Sequence, residues 1–282
     1  MGRAPGGDIL DPLIVALVLD VNVSGISQDP ELQRRYAGVG DIPPDTLRRP
    51  VSISAVAASL RLPYETVRRR IARLAERGAC EVTRDGVMVP SSTVNNPGYL
   101  MLAGARYERL KRFYWDLKAL GALAALPAPL DPQPLAEPPV RLANRVISEY
   151  FLRFSDSVMR GLGDPLSGLL LLEMARANAE HLGAADMARD GPIPDELRRP
   201  IRAHALARRV GLPSETVRRH LAKLDAAGYC RKVDGGLLAA LEQMGERTEE
   251  GRGLAENLTN VNRLFGRLAN LGVVAFWEAE AS

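Results

Sequence analysis

The chain has 282 residues, 46% of them apolar, and a net charge of +3. That length favours two folding units over one and leaves enough apolar material for a core in each. The near-neutral balance excludes a global positive field, so a polyanionic partner would have to be met by locally concentrated charge.

In chain order, the opening residues lack the charged start, apolar stretch and cleavage site of a signal peptide. Leu13–Val23 reads as an apolar helix, more often scaffold than ligand pocket. Its apolar run Leu13–Leu19 is bounded by Asp11 and Asp20 and is far short of the ~20 residues that span a bilayer. The later run Leu169–Leu172 is shorter still and is closed by Glu173.

Residues 48–80 read RRPVSISAVAASLRLPYETVRRRIARLAERGAC, and residues 198–230 read RRPIRAHALARRVGLPSETVRRHLAKLDAAGYC. They align without a gap, and 16 of the 33 positions are identical, the mark of an internal repeat. The likeness extends outward. Asp11-Pro12-Leu13 returns as Asp164-Pro165-Leu166, and Asp45 and Leu47 return as Asp195 and Leu197. Leu110, Phe113, Tyr114, Leu117 and Gly121 match Val261, Leu264, Phe265, Leu268 and Gly272.

Within one copy, Ser54–Leu60 is expected to be a short helix with Val56, Ala57 and Leu60 inward. A tight turn leads to a second helix from about Pro63 to Arg77. Pro63 and Pro213 suit its first turn, and Gly78 and Gly228 suit its end. Asp85-Gly86, between Val82 and Val87-Met88-Val89, signals a β-hairpin, as does Asp234-Gly235-Gly236 in the second copy. A long amphipathic helix is expected to close each copy. It is carried by Tyr107, Leu110, Tyr114 and Leu117 in the first, and by Leu254, Leu258, Val261, Phe265 and Leu268 in the second. Between the copies, Leu123–Pro139 holds six prolines and reads as an extended spacer. Val140–Val158 keeps helical spacing and has no counterpart in the first copy. The expected domains are therefore 1–126, a Pro-rich linker 127–139, and 140–282.

Helix, turn, helix and hairpin in that order resemble the winged helix-turn-helix. The stretches LPYETVRRRIARLAERGACEV and GLPSETVRRHLAKLDAAGYC look like the recognition helix and wing strand of bacterial transcriptional regulators of the GntR and MarR type. The resemblance covers Val51–Val89 and Ile201–Leu238. It implies a mainly α fold with small β-hairpin wings, in two tandem winged helix-turn-helix domains. One position departs from the pattern. The turn residue is Gly211 in the second copy and Arg61 in the first, where a positive φ would cost roughly 1 kcal/mol.

On the second helix, Val67, Ile71 and Leu74 share one face. Glu65, Thr66, Arg69, Ala72 and Arg73 share the other, with Arg68 and Arg70 at the borders. In the second copy Val217, Leu221 and Leu224 are inward. Glu215, Thr216, Arg219, Ala222 and Lys223 are outward, with Arg218 and His220 bordering. Arginine facing a major groove can contact guanine O6 and N7, and cations at the borders can neutralise phosphates. The resemblance and this charge pattern together nominate Tyr64, Thr66, Arg68, Arg69, Arg70, Arg73 and the wing residue Arg84 for DNA contact. The second copy nominates Ser214, Thr216, Arg218, Arg219, His220, Lys223, Arg231 and Lys232. The duller role for Glu65 and Glu215 is to complement the helix dipole.

No spacing among His181, His204 and His220 suggests a metal or a catalytic relay. Cys80 and Cys230 stand at one repeat position, where a core thiol is the plainer reading and redox sensing the minor one. The expectation is a non-enzymatic, sequence-specific regulator in the cytoplasm, associated with the nucleoid. It would bind double-stranded DNA as a single-chain pseudo-dimer on two unequal half-sites, without a cofactor or membrane contact. A homodimer through Val140–Val158 stays open, and a small-molecule effector is unassigned. The alternative is a chromosome-associated or replication scaffold that uses paired winged helices for protein contacts.

Overall fold

The computed structural model describes residues 10–183, 186, 193–240 and 251–281. Apolar residues at helical spacing, punctuated by Pro and Gly, give a mainly helical chain with two small antiparallel hairpins. It divides into two compact units. The first is Asp11–Phe154 together with Leu258–Ser282, and the second contains Ser155–Asn257.

The first unit begins with α1 (Leu10–Asn22), α2 (Ser24–Gln28) and α3 (Pro30–Arg35). A 3-10 turn, Asp45–Leu47, precedes α4 (Ile53–Ser59). Ser52 caps α4 by accepting from the Ala55 N–H at 3.1 Å. Next come α5 (Tyr64–Glu76), the hairpin β1 (Glu81–Thr83) and β2 (Gly86–Met88), α6 (Ser91–Val94) and α7 (Pro97–Ala119). Helix α8 (Val140–Leu162) starts in the first unit, and its residues from Ser155 onward belong to the second.

The second unit repeats the order. It holds α9 (Pro165–Ala179), the 3-10 turn Asp195–Leu197, α10 (Ala203–Val210), α11 (Ser214–Ala226) and the hairpin β3 (Cys230–Val233) and β4 (Gly236–Ala239). The C-terminal helices α12 (Gly251–Asn270) and α13 (Val273–Glu280) follow. The expected helix over 140–158 and both expected hairpins are present.

The turns obey glycine chemistry with one exception. Gly78 and Gly228 end α5 and α11 at φ of 71° and 79°. Between α10 and α11, Gly211 sits at φ 70°. At the same place between α4 and α5, Arg61 takes φ 52° and is the one non-glycine with positive φ among the described residues. The expected strain at Arg61 is therefore present.

Each hairpin gains a third strand position. Val51 and Val87 exchange backbone hydrogen bonds of 3.0 and 2.8 Å, and Ile201 and Leu237 exchange bonds of 3.0 and 2.9 Å. This close pairing leaves no room for a side chain on the facing glycine. A Cβ on Gly86 would stand 2.6 Å from the Val51 carbonyl oxygen, and one on Gly236 would stand 2.6 Å from that of Ile201.

The closing helices depart from expectation. In one cluster of the first unit, Val261, Leu264, Phe265 and Leu268 of α12 are buried with Tyr107, Leu110 and Tyr114 of α7. Both matching helices thus build one core instead of closing one copy each. Aromatic residues explain the preference. The Tyr114 and Phe265 rings lie 5.8 Å apart, those of Tyr107 and Trp277 lie 5.9 Å apart, and the Trp277 indole N–H donates to Tyr107 Oη at 2.9 Å. Leu258 is exposed, so it is not on the inward face. The side chain of Leu254 lies outside the described residues.

The proline-rich segment departs too. Leu123, Leu126 and Leu135 pack on this same cluster, and the Leu130 N–H donates to the Asn270 carbonyl at 2.8 Å. Residues 123–139 are a strap lying on the first unit. The compact units consequently follow neither the 1–126 nor the 140–282 boundary.

Candidate nucleic-acid interface

Helix α5 is held by its apolar face. Val67 and Ile71 are fully buried and Leu74 nearly so. Val217, Leu221 and Leu224 do the same for α11, against Leu170, Met174 and Leu206. Anchoring one face fixes the other toward solvent. Tyr64, Arg68, Arg69 and Arg73 are exposed on α5, and Ser214, Arg218, Arg219 and Lys223 are exposed on α11. Thr66 and Thr216 are half-buried in the first turns. Arg69, Arg73, Arg219 and Lys223 make no ion pair among the described residues.

Arg70 and His220 require correction. Both were nominated for DNA contact, and both point back into their own unit. Arg70 Nη1 donates to Asp11 Oδ1 at 2.7 Å, with the Arg70 side chain only 13% exposed. His220 is buried, with Nδ1 3.1 Å from Asp164 Oδ1 and 3.1 Å from Ser167 Oγ. Asp11 and Asp164 are the matching aspartates that start α1 and α9. The border position of the second helix therefore ties it to the unit's first helix in both copies. The geometric reason is that this position lies over the α1 or α9 N-terminus and not over the solvent face. Burial lowers the His220 pKa below its ordinary value, against the opposing pull of Asp164. Serine and aspartate both meet the same ring nitrogen, so the trio lacks the two-sided arrangement of a nucleophile relay.

The remaining nominated cations differ in how they are held. Arg68 and Arg218 reach back one turn to Glu65 and Glu215, at 3.0 and 3.4 Å. These are exposed pairs of small energetic weight, which a phosphate could displace. Arg84 projects from the tip of the first hairpin, 93% exposed, with its Nε 3.6 Å from the neighbouring Asp85. In the second hairpin Arg231 pairs with Asp195, and Lys232 lies 2.9 Å from Asp225. The hydrogen bond to Asp225 raises the Lys232 pKa. The two wings thus present their charge differently.

Sequence reasoning missed a pair of buried asparagines. Asn22 at the end of α1 donates to the Arg49 carbonyl at 2.7 Å and accepts from the Val89 N–H at 2.8 Å. Asn178 in α9 donates to the Arg199 carbonyl at 2.8 Å and accepts from the Ala239 N–H at 2.9 Å. Both are fully buried. Each satisfies backbone groups of the hairpin and of the strand before the first helix, which fixes the wing relative to α1 or α9. A single amide ending an otherwise apolar helix is the signal that could have found them.

Cys80 and Cys230 are buried, and burial pushes each thiol up to about 11. That places them in the core and far from thiolate reactivity. Among the described residues no group of three or more His, Cys, Asp or Glu is placed to hold a metal ion. No described helix is long and apolar enough to cross a membrane. Compared with protein-family models, curated proteins and solved structures, the chain matches none.

Proposed function

We propose that this chain binds double-stranded DNA through two winged helix-turn-helix units and regulates transcription. The observation that carries the reading is a repeated surface. On the same helix of both copies, exposed cations without ion pairs among the described residues (Arg69 and Arg73, Arg219 and Lys223) stand beside a first-turn threonine. Helix–turn–helix–hairpin order supports this reading, because in a winged helix-turn-helix the second helix is the one that reads base edges. The half-buried threonines and the small Ala72 and Ala222 let backbone approach closely. Because Tyr64 matches Ser214 and the wings differ, the two half-sites are unequal. Linking both readers on one chain raises the effective concentration of the second once the first is bound.

Selection of genomic fragments by purified protein, followed by gel shift against competitor DNA, tests the proposal. A recovered sequence motif with an imperfect inverted or direct repeat is the expected result. Arg69→Ala should weaken binding about tenfold or more and reduce the salt slope, without lowering thermal stability. Arg219→Ala should do the same at the other half-site. Binding with no site preference, or none at all, would favour a scaffold role and end this reading.

A further inference from the structure

The first unit contains a cavity of about 380 Å³, within the range of small-molecule sites. Its walls come from α1, α7, α8 and the end of α5. Much of the lining is apolar, including Val15, Leu19 and Leu102. Five arginines also line it, of which Arg77 and Arg106 are exposed and Arg48, Arg141 and Arg145 are not.

Arg141 and Arg145 are oriented by backbone carbonyls and make no ion pair among the described residues, whereas Arg48 has one carboxylate partner, Asp45. Arg141 donates to the carbonyls of Val39 and Val94 at 2.9 and 3.1 Å. Arg145 donates to those of Tyr36 and Gln33 at 2.9 and 3.1 Å, while its Nε is buried without a hydrogen-bond partner among the described residues. Arg48 is 5% exposed and lies 3.2 Å from Asp45 through Nε. Its Nη1 is buried with no hydrogen-bond partner among the described residues. Burial pulls the Arg145 pKa down to about 10 and lowers those of Arg48 and Arg141, which are the marks of charge held against its desolvation cost. The two carboxylates in the lining do little to offset it. Asp11 is taken by Arg70, and burial lifts Asp20 to about 6.

Clustered guanidiniums, fixed in place by backbone carbonyls beside an apolar wall, are costly unless an anion joins them. We propose that this cavity binds a small organic carboxylate. Arg48, Arg141 and Arg145 would take the carboxylate, and the wall of Val15, Leu19 and Leu102 would take an apolar body. The forked donors of arginine suit the two carboxylate oxygens. At the matching position of the second unit, Arg198 likewise stands beside a carboxylate, Asp195 at 3.1 Å, and also donates to the Ala239 carbonyl.

Calorimetric titration of the full chain, with no DNA present, tests the site. The probes are 3-phenylpropionate, octanoate, the uncharged alcohol 3-phenylpropanol, and inorganic phosphate. The expected result is saturable 1:1 binding of at least one carboxylate at millimolar concentration or below, with the alcohol about tenfold weaker or undetectable. Arg48→Met should weaken carboxylate binding about tenfold or more. Val15→Trp, which fills the cavity without touching the arginines, should abolish it, and Arg69→Ala should leave it unchanged. Should Arg48→Met fail to fold, Val15→Trp still decides. Equal binding of the alcohol, equal binding of phosphate alone, persistence in Val15→Trp, or no saturable binding by either carboxylate would overturn the proposal.

Discussion

Arg61 holds a left-handed backbone conformation at φ 52° that its counterpart Gly211 adopts without steric cost. Arg61→Gly should therefore stabilise the protein by roughly 1 kcal/mol, read as a higher urea midpoint with unchanged slope. His220 gives a pH signature. Its pKa in the fold lies below the ordinary value of about 6.5. Above that value the imidazole is neutral in both folded and unfolded chain, and its contribution is fully present. As pH falls below it, the unfolded chain takes up a proton that the folded chain resists, so stability is lost. Thermal melts between pH 7.5 and 5 should show this fall in the native protein and a shallower one in His220→Gln.

At the scale of elements, the three-position sheet of each wing depends on glycines. Gly86 has φ 135°, and any Cβ there meets the Val51 backbone. Gly86→Ala and Gly236→Ala should each cost about 2 kcal/mol and loosen the hairpin, seen as faster amide exchange at Val87 and Leu237. The helices and hairpins were legible because the repeat displays each signal twice: proline before the second helix, glycine after it, and a turn dipeptide between β-rich residues. Strand positions Val51 and Ile201 were not, since a single bridged residue has no periodicity to read. The solvent-facing residues of α5 and α11 were legible from helical spacing. Arg70 and His220 were misplaced because a border residue follows whatever packs beside it, here α1 and α9, and spacing along one helix says nothing of its neighbours.

At the scale of the whole molecule, sequence similarity and folding unit part company. Leu110, Phe113 and Tyr114 match Val261, Leu264 and Phe265 in sequence, yet the matched helices share one core. Periodicity identifies an apolar face without naming the surface that covers it, so the pairing of α7 with α12 was invisible. A fragment of residues 1–126 should consequently lack a cooperative unfolding transition, because Trp277, Phe265 and α8 are missing from its core. In the full chain, Trp277→Ala should lower stability by about 3–5 kcal/mol, measured by urea unfolding, since the ring is fully buried and bonded to Tyr107.

The strap over residues 123–139 carries one more consequence. Six of its backbone nitrogens belong to proline and have no hydrogen to satisfy, so the segment can lie flat on an apolar surface with few donors stranded there. Leu130 meets Asn270, and Asp131 meets Arg34 at 2.6 Å, so the stretch is stapled partway along its course. A residue inserted there would not lengthen a tether. It would put three leucines out of step with their seats, as a link added to a watch strap leaves the clasp in the wrong place.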